Sequence, residues 1–241
     1  MDAVVSLLRN DGNIVECMDD DSCEISSDTD LCMTMARSEH ARDAITQAVT
    51  ASVNGAMSPE WCSKQNVRRV MRINNIPMAS DKGTCGYWVK RGDGQPQGSS
   101  DVMFAADEAE LKQVTRQFSA RGITNVTTEA HIPGDLIKFY AVEGTNFFRI
   151  YYPTDDGKFK FDNELRNGRA EHYGFEKTEL KSKVMQLAQL LDTPVCGGDC
   201  IVRADGTFAI IDFNDWPSFS RCRTEAAEAI VELINKKYIK R

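Results

Sequence analysis

The apolar positions in the first third of the chain predict amphipathic helices separated by short apolar runs. Helical spacing covers three segments: 3–9, 38–55 and 58–76. The second segment starts at Ser38, a good N-cap, and stops at Gly55, which favours the end of a helix. Two runs between the first two helices have the length and composition of strands: 13–18 and 30–36. Strands and helices that alternate in this way predict an α/β arrangement.

From residue 86 the pattern changes to strands that follow one another more closely. A strand that ends at Lys90 leads into a polar loop rich in glycine, and a second strand follows at 101–105. An amphipathic helix with an acidic first turn and a glycine stop is expected at 107–122. Three strand-like segments then come without a helix between them: 125–132, 135–144 and 145–153. Consecutive strands predict an antiparallel meander.

A hairpin is predicted between the last two helices. Helical spacing covers two segments: 176–192 and 224–238. Two apolar runs lie between them: 200–202 and 208–213. The runs flank Asp205-Gly206, the strongest short-range signal for a tight hairpin. A two-residue loop would place Asp199 directly opposite Asp212, although like charges at such a pair of positions repel each other.

Strand alternation brings three oxygen-bearing side chains together in this hairpin. Phe208, Ile210, Asp212 and Asn214 are expected on one face of the second strand. Asp199 would join Asp212 and Asn214 there. Two carboxylates and an amide oxygen, with no His or Cys on that face, suit a hard cation such as Mg²⁺. The alternative is a surface hairpin whose acids face water, and the register of the hairpin decides between the two.

Length, charge and cysteine usage restrict the class of protein. The 241 residues suffice for one large or two small domains, and 29 basic against 36 acidic side chains give a net charge of −7. Because polyanion binding needs a basic field, no nucleic acid or membrane partner is expected. The first residues lack the order of a signal peptide, and we expect a cytoplasmic protein.

Eight scattered cysteines predict reduced thiols, with Cys196 and Cys200 as buried thiols rather than metal ligands.

A magnesium ion usually shares its coordination shell with substrate phosphates, so a phosphate-binding element is expected. The loop after Lys90 is rich in small residues that let backbone N–H groups approach an anion: Gly92, Gly94, Gly98, Ser99 and Ser100. Lys90 itself is a point charge well placed to meet phosphate. The loop lacks the GxxxxGK[ST] order of a P-loop, and a surface turn would need the same residues.

Read in order, six motifs resemble the ATP-grasp superfamily, which includes carboxylate–amine ligases and inositol-phosphate kinases. They are Lys64 before a helix that ends in NNIP, Lys90 before the glycine loop, EAHIPGD (129–135), LIKFYAV (136–142), GGDCIV (197–202) and IIDFNDWP (210–217). The resemblance covers about residues 58–234. The most specific part of the resemblance is the D…DxN signature in combination with two lysines. These residues are Asp199, Asp212, Asn214, Lys64 and Lys90.

The resemblance implies roles for the matching residues around the phosphates of ATP. Lys64 and Lys90 would contact the phosphates, and Lys138 would face them from a strand. The glycine loop would fold over them with three small residues: Gly92, Gly94 and Ser99. The metal ligands would be Asp199, Asp212 and Asn214, the set that hairpin geometry suggests independently. Lys64 and Lys138 are equally compatible with ordinary exposed lysines.

The resemblance also implies where the nucleoside would bind, and the sequence itself offers arginines for the acceptor. The hinge between the lobes would pair with adenine through its backbone: Glu129, Ala130, His131 and Ile132. Asp135 would hold the ribose hydroxyls, or simply start a strand after Pro133-Gly134. Arg221 and Arg223 would clamp an anionic acceptor as catalytic residues, or only begin the last helix. Arg149 points at the substrate or pairs with an acid.

The fold class implied is α/β (α+β), an ATP-grasp fold with two α+β lobes that grip ATP. The expected reaction is Mg-ATP-dependent phosphoryl transfer to a carboxylate of a small molecule or peptide. An amine or similar nucleophile then captures the acyl phosphate, which is the chemistry of an ATP-dependent ligase. Two alternatives stay open: a small-molecule kinase of the same fold, and a non-catalytic ATP-binding regulatory or scaffold module. The intact D…DxN set argues against the second.

The N-terminal region departs from the superfamily pattern. Residues 1–57 resemble a small, truncated α/β domain whose leading strand and glycine turn are missing. The ATP-grasp domain would cover 58–241, with one lobe at about 58–130 and the other at about 131–241. Three explanations are open: an acceptor site built differently, a homo-oligomer or partner subunit that supplies the missing elements, or further residues upstream.

Overall fold

The computed structural model describes residues 1–48, 50–93, 98–155 and 166–238. The α-helices in these ranges are α1 (Asp2–Asn10), α2 (Glu39–Ala48), α3 (Ser58–Trp61), α4 (Lys64–Ile73), α5 (Glu108–Ala120), α6 (Lys177–Leu190) and α7 (Arg223–Lys237). The strands are β1 (Leu31–Met33), β2 (Ala51–Val53), β3 (Tyr87–Arg91), β4 (Val102–Ala105), β5 (Val126–Ala130), β6 (Asp135–Val142), β7 (Phe148–Tyr151), β8 (Val195–Val202) and β9 (Phe208–Asp215). They form three sheets of two, three and four strands.

The smallest sheet and its connecting helix lie in the N-terminal region. β1 and β2 pair in parallel, with Leu31 opposite Ala51, and α2 is the crossover between them. The predicted α/β alternation is confirmed here. α1 packs against α7, and Val4 and Leu8 of α1 share a hydrophobic cluster with residues of α7. The two ends of the chain therefore stabilise each other.

Two N-terminal predictions are wrong, and one is confirmed. The helix expected at 38–55 ends at Ala48, because the following residues form β2, whose Val53 is completely buried. Residues 13–18 form no strand, since Ile14 is 95% exposed and the run has no buried face. Ser38 does lie at the start of α2, where its Oγ accepts a hydrogen bond from the N–H of Ala41 at 3.1 Å.

The three-stranded sheet has the order β4-β3-β5 and is antiparallel throughout. α5 covers one face, and the small core between them contains Tyr87, Val89, Ala105, Val114 and Phe118. α5 begins as predicted, because the carboxylate of Asp107 accepts hydrogen bonds from the first backbone N–H groups of the helix. The other face carries Trp88 and Lys90, which alternate with the core residues along β3.

The four-stranded sheet has the order β7-β6-β8-β9 and is also antiparallel. The meander expected at 125–153 is correct only for β6 and β7. β5 belongs to the three-stranded sheet, because Pro133 and Gly134 interrupt the chain between β5 and β6. Gly134 has φ +149°, and a Cβ at that position would meet the carbonyl oxygen of Val202.

The two faces of the four-stranded sheet have different neighbours. α4 and α6 pack under one face in a core that includes Met71, Leu187, Phe139 and Phe213. On the opposite face, α7 and the N-terminal region cover one end, where Val142 and Val195 lie in a second cluster. The other end of that face lies against the three-stranded sheet. No helix in the described ranges combines the length and apolar character that a membrane crossing requires.

Candidate active site

Asp199 and Asp212 lie opposite each other in the β8–β9 hairpin, as predicted. The turn differs from the prediction: the N–H of Arg203 donates to the carbonyl of Thr207 at 2.8 Å, so the loop has three residues, 204–206. The last of them, Gly206, has φ +82°. A register shift beside Asp199 then inserts Ile211 as an extra residue in β9. The longer turn and the bulge compensate each other at Asp199 and Asp212.

The bulge also changes which residues of β9 share a face. Phe208 and Ile210 were expected beside Asp212, and that prediction is wrong: both lie with Phe213 in the core under the sheet. Ile211 instead lines the cleft on the other side. Asp212 and Asn214 still project together, since the Asn214 amide donates to Asp212 Oδ2 at 3.0 Å.

A row of polar side chains crosses the four-stranded sheet in register. Tyr151 on β7 is opposite Lys138 on β6, Lys138 is opposite Asp199 on β8, and Asp199 is opposite Asp212 on β9. Lys138 Nζ lies 3.1 Å from Asp199 Oδ1. The row lies between the end of the sheet covered by α7 and the end that meets the three-stranded sheet.

Lys64, the first residue of α4, contacts this row at its β9 end. Its ammonium group contacts the carboxylate of Asp212 and lies 3.2 Å from Asn214 Oδ1. Burial of Asp212 acts to raise its pKa, but the charges of Lys64 and Lys90 and the hydrogen bonds from Lys64 and Asn214 outweigh burial and lower the pKa to about 2. Asp212 is therefore ionised at neutral pH.

The chemistry of these donors fits a hard divalent cation. Asp199, Asp212 and Asn214 offer two carboxylates and an amide oxygen, and a carboxylate must be ionised to act as a ligand. In the described ranges no group of three or more His, Cys, Asp or Glu side chains could hold a metal ion. With only three protein oxygens as donors, an ion at this site would complete its shell with water and phosphate oxygens, as is usual for Mg²⁺.

Lys90 links the two larger sheets through a buried ion network. Its Nζ contacts the carboxylate of Glu129 on β5 and donates to the carbonyl of Ile211, the bulge residue of β9, at 2.9 Å. Arg68 of α4 donates to Glu129 at 2.7 Å, to the carbonyl of Ala79 at 3.2 Å and to an exposed aspartate at 2.6 Å. Lys90, Glu129 and Arg68 are all at most 9% exposed.

A cleft with about 400 Å³ of space, part of it open to solvent, lies between the two larger sheets. Its lining includes all four predicted hinge residues together with apolar side chains of the four-stranded sheet: Glu129, Ala130, His131, Ile132, Leu136, Ile201 and Ile211. The backbone N–H groups of Ala130 and His131 donate to the carbonyls of Ser80 and Gly86, both at 2.8 Å. These bonds fix the hinge against the start of β3.

An aromatic cluster forms the wall of the cleft on the three-stranded sheet. Trp88 Nε1 donates to Nδ1 of His131 at 3.1 Å, and the rings of Trp88 and Phe104 are 5.3 Å apart. The guanidinium of Arg166 lies 3.6 Å from the centre of the Phe104 ring. Burial lowers the pKa of His131, and the charge of Arg166 lowers it further. His131 is thus a packing residue of the hinge.

Asp135 is buried at the start of β6, next to the hinge. Its two carboxylate oxygens accept hydrogen bonds from the N–H groups of Glu171 and Tyr173 at 2.7 and 2.8 Å. Near it, the amide of Asn167 donates to the carbonyl of Ile132 at 3.1 Å. Asp135 therefore anchors the segment 171–173 beside the cleft in this structure, and the predicted contact with ribose stays a prediction.

The glycine loop is described in part. The N–H of Gly92 donates to the carbonyl of Asn125 at 2.8 Å, and the carbonyl of Gly92 accepts from the N–H of Gln65 at 3.2 Å. Gly92 thus connects the end of β3 to the first turn of α4. Gly94 lies outside the described residues. Ser99 begins a short 3₁₀-helix, Ser99–Asp101, and its side chain is outside the described part.

The three arginines proposed for the acceptor occupy different positions. Arg221 lies before α7, with its guanidinium 5.9 Å from the centre of the Tyr151 ring. Arg223 is the exposed first residue of α7. Arg149 pairs with Glu225 of α7, which is the acid partner considered for it. Of the three, Arg221 lies over Tyr151, the residue opposite Lys138 in the row.

Sequence reasoning missed Arg68 and the aromatic wall. Arg68 stands one helical turn after Lys64, so the i, i+4 spacing on α4 is a signal that could have found it. Trp88 alternates with Lys90 along β3, and the same period of two places both on the cleft face. Nothing in the sequence pairs Phe104 with Arg166, because Phe104 lies on β4 and Arg166 in the segment between β7 and α6.

The fold matches several solved structures. A RimK-domain ATP-grasp protein from Sphaerobacter thermophilus aligns with a TM-score of 0.67 at 13% identity, over 96% of this chain and 93% of the other. The D-cycloserine synthetase DcsG aligns with a TM-score of 0.63 at 12% identity, over the same 96% and 93%. The D-alanine–D-alanine ligase from Bacillus anthracis complexed with ATP aligns with a TM-score of 0.55 at 13% identity, over 87% of this chain and 80% of the other.

These likenesses define the fold of the chain. No protein-family model matches the sequence, and no curated protein matches it. The chain has the ATP-grasp fold, with mixed α and β structure, as the ordered motifs predicted. At 12–13% identity the likeness concerns the fold alone, so nucleotide, metal and substrate are argued below from this chain's own residues.

Proposed function

We propose that this protein is a Mg-ATP-dependent ligase that activates a carboxylate as an acyl phosphate and passes the acyl group to an amine or similar nucleophile. The observation that carries the proposal is the in-register row of Lys138, Asp199 and Asp212, next to two further buried lysines. Paired carboxylates surrounded by cations suit a metal ion and the phosphates of a nucleotide.

The order of side chains along the cleft face supports the placement of the nucleotide. Leu136 and Ile201 form an apolar floor beside the hinge, which suits a base. Two residues further along the same strands come Lys138 and Asp199, which suit phosphates and a metal ion. Because side chains two apart on a strand share a face and lie roughly 7 Å apart, base and phosphates would follow one another along the sheet.

In this proposal the nucleotide contacts come from both larger sheets. Phosphates would be bound by Lys64, Lys90 and Lys138, and by the loop with Gly92, Gly94 and Ser99. Mg²⁺ would be held by Asp199, Asp212 and Asn214, and when bound it supplies charge neutralisation at the phosphates. The base would lie against the hinge from Glu129 to Ile132, and ribose near Asp135. A ligase of this fold has been solved in complex with ATP, which supports ATP as the nucleotide.

The acceptor would bind beyond the phosphates, towards the end of the sheet covered by α7. Two residues past Lys138 on the same face is Tyr140, and Arg221 lies over Tyr151 in the same region. We therefore prefer Arg221 to Arg223 for the acceptor carboxylate, since Arg223 is exposed on α7. A guanidinium can orient a carboxylate with two parallel hydrogen bonds.

For phosphoryl transfer from ATP to a carboxylate, the protein has to position the two reactants and offset the negative charge of the phosphates. The carboxylate oxygen attacks the γ-phosphorus, ADP leaves, and the acyl phosphate is then attacked by the nucleophile with release of phosphate. Lys90 and Lys138 would offset charge on the transferred phosphoryl group, and Arg221 would hold the carboxylate in line. No protein nucleophile is required, because binding in the correct geometry lowers the barrier.

Trapping with hydroxylamine tests the reaction class. The protein is incubated with Mg-ATP, a mixture of amino acids, short peptides and small carboxylic acids, and hydroxylamine. A ligase would release ADP and form a hydroxamate, because hydroxylamine captures an acyl phosphate. ADP release with a stable phosphorylated product and no hydroxamate would instead identify a kinase. Absence of nucleotide binding would contradict both and leave a different role for the fold.

A further inference from the structure

Three cations and two acids lie beside the cleft between the two larger sheets, and one of the acids, Glu129, lines it. Lys64 and Arg68 stand one turn apart on the buried face of α4. Residues four apart on a helix lie on the same face, so one helix sends both cations towards the cleft. The third cation, Lys90, comes from β3 of the opposite sheet.

Each cation of α4 pairs with one of the two acids. Lys64 contacts the carboxylate of Asp212, and Arg68 Nη1 lies 2.7 Å from Glu129 Oε2. Lys90 lies between these acids: its Nζ contacts Glu129 and donates to the carbonyl of Ile211, directly before Asp212, at 2.9 Å. The side chains of Arg68, Lys90 and Glu129 are only 10%, 11% and 4% exposed, so solvent screens their charges weakly.

The charge count at this point depends on Arg68. Arg68 also pairs with the exposed Asp81, which it shares with Arg72. The connected set therefore has four cations, Lys64, Arg68, Arg72 and Lys90, against three carboxylates, which leaves one positive charge in excess. Without Arg68, Lys64 and Lys90 would face Asp212 and Glu129 alone, and the two cations would be fully compensated. A buried ammonium with a full carboxylate partner has little charge left for another anion.

We propose that Arg68 is a positioning residue for Lys90: it neutralises Glu129, so that Lys90 keeps its positive charge available for an anion in the cleft. The inference rests on the proposed function for the nature of that anion, a nucleotide phosphate. Arg68 acts through Glu129, and its own guanidinium is bound to Glu129, the carbonyl of Ala79 and Asp81. It is therefore not assigned a contact with the nucleotide.

A double substitution separates this charge balance from a purely structural role. Binding of the non-hydrolysable ATP analogue AMPPNP with Mg²⁺ is measured by calorimetry. Arg68→Met is expected to raise the Kd at least tenfold, because Glu129 then compensates Lys90. Adding Glu129→Gln to Arg68→Met removes that acid and is expected to restore the Kd to within about threefold of the wild-type value.

Arg72→Met is the matched control. Arg72 lies one turn further along α4, pairs with the same Asp81 as Arg68, and has a side chain that is 60% exposed. Its substitution is expected to change the Kd less than twofold. Should Arg68→Met fail to fold in a thermal melt, Arg68→Lys takes its place: it keeps the charge and is expected to bind within threefold of wild type, with Arg68→Gln at least tenfold weaker.

Several results would overturn the inference. A double variant that binds as weakly as Arg68→Met shows that Arg68 only holds the hinge in shape. An unchanged Kd for Arg68→Met, or equal affinities for Arg68→Lys and Arg68→Gln, does the same. If the wild-type protein does not bind AMPPNP, the proposed function fails and the inference fails with it. If the wild-type protein binds AMPPNP and the Arg68 variants bind it with the same Kd, the inference fails and the proposed function stands.

Discussion

The four-stranded and the three-stranded sheet both contribute side chains to the cleft, but they are supported differently. The four-stranded sheet has α4 and α6 under one face, α7 over part of the other, and completely buried Phe139 and Phe213 in its core. The three-stranded sheet has α5 on one face and a much smaller core around Phe118. The metal-binding candidates are therefore built on the better packed of the two sheets.

The contacts that join the two sheets at the cleft are largely polar. Lys90 reaches the carbonyl of Ile211, and Arg68 reaches Glu129. Such contacts depend on charge and geometry more than on buried area. We therefore expect the positions of the carboxylates on β8 and β9 to depend on core packing, and the position of Lys90 relative to them to depend on its contacts with Glu129 and the carbonyl of Ile211.

Matched truncations of two buried phenylalanines test this difference in support. Phe139→Ala should lower the free energy of unfolding by about 3–5 kcal/mol, measured by urea titration, because it empties the centre of the larger core. Phe118→Ala should open the three-stranded sheet locally, so hydrogen exchange would speed up in β3 to β5 while β6 and β8 stay protected. If Phe118→Ala reduced protection equally in both sheets, the two sheets would not be supported by separate cores.

Gly198 tests how closely β8 and β9 must approach beside the carboxylates. A Cβ at Gly198 would contact the backbone carbonyl oxygen of Asp212 and lie 2.7 Å from Phe139 Cζ. Gly198→Ala is therefore expected to cost about 1–3 kcal/mol of stability and to weaken binding of Mg-AMPPNP. The matched control is Gly174→Ala, since a Cβ there meets nothing within 4 Å. Similar melting temperatures for the two variants would contradict this expectation.

The smallest predicted effect concerns the pH dependence of the hinge. Burial lowers the pKa of His131, and Arg166 lowers it further, while the neutral ring accepts a hydrogen bond from Trp88. The unfolded chain, with a histidine pKa of about 6.5, then binds more protons than the folded one. This contribution to stability is complete above about pH 6.5 and is lost as the pH falls towards the lowered pKa.

The measurement is the melting temperature between pH 8 and pH 5, compared with that of His131→Asn. Asparagine keeps an acceptor for Trp88 but does not titrate. The wild-type protein should lose slightly more stability than the variant on acidification. Equal losses in both proteins would show that His131 does not contribute.

The ordered motifs could be read from the sequence, and their resemblance to the ATP-grasp superfamily implied the fold that the structure has. Sequence reasoning placed Asp199 opposite Asp212 correctly although the two-residue turn was wrong, since the three-residue turn and the bulge at Ile211 offset each other. The faces of β9 were misassigned for the same reason. A bulge has no signal in a run such as Phe208–Phe213, where every residue but Asp212 is apolar.

The remaining errors arise where tertiary contacts override local pattern. Residues 51–53 continue a helical pattern but form β2, because β1 is available as a partner. β5 follows the pattern of its neighbours but pairs with β3, in the sheet that precedes the hinge, and not with β6. The i, i+4 spacing from Lys64 places Arg68 on the same face of α4, but its pairing with Glu129 on β5 is a long-range contact that no local pattern shows.

The most direct test of the account is binding of AMPPNP to the wild-type protein and to Asp212→Asn, with and without Mg²⁺. The account predicts binding that requires Mg²⁺ and a Kd raised at least tenfold by the substitution, which corresponds to about 1.4 kcal/mol or more. Asp205→Asn, at the exposed turn of the same hairpin, should bind as wild type does. Absence of binding, or binding indifferent to both Mg²⁺ and Asp212, would contradict the account.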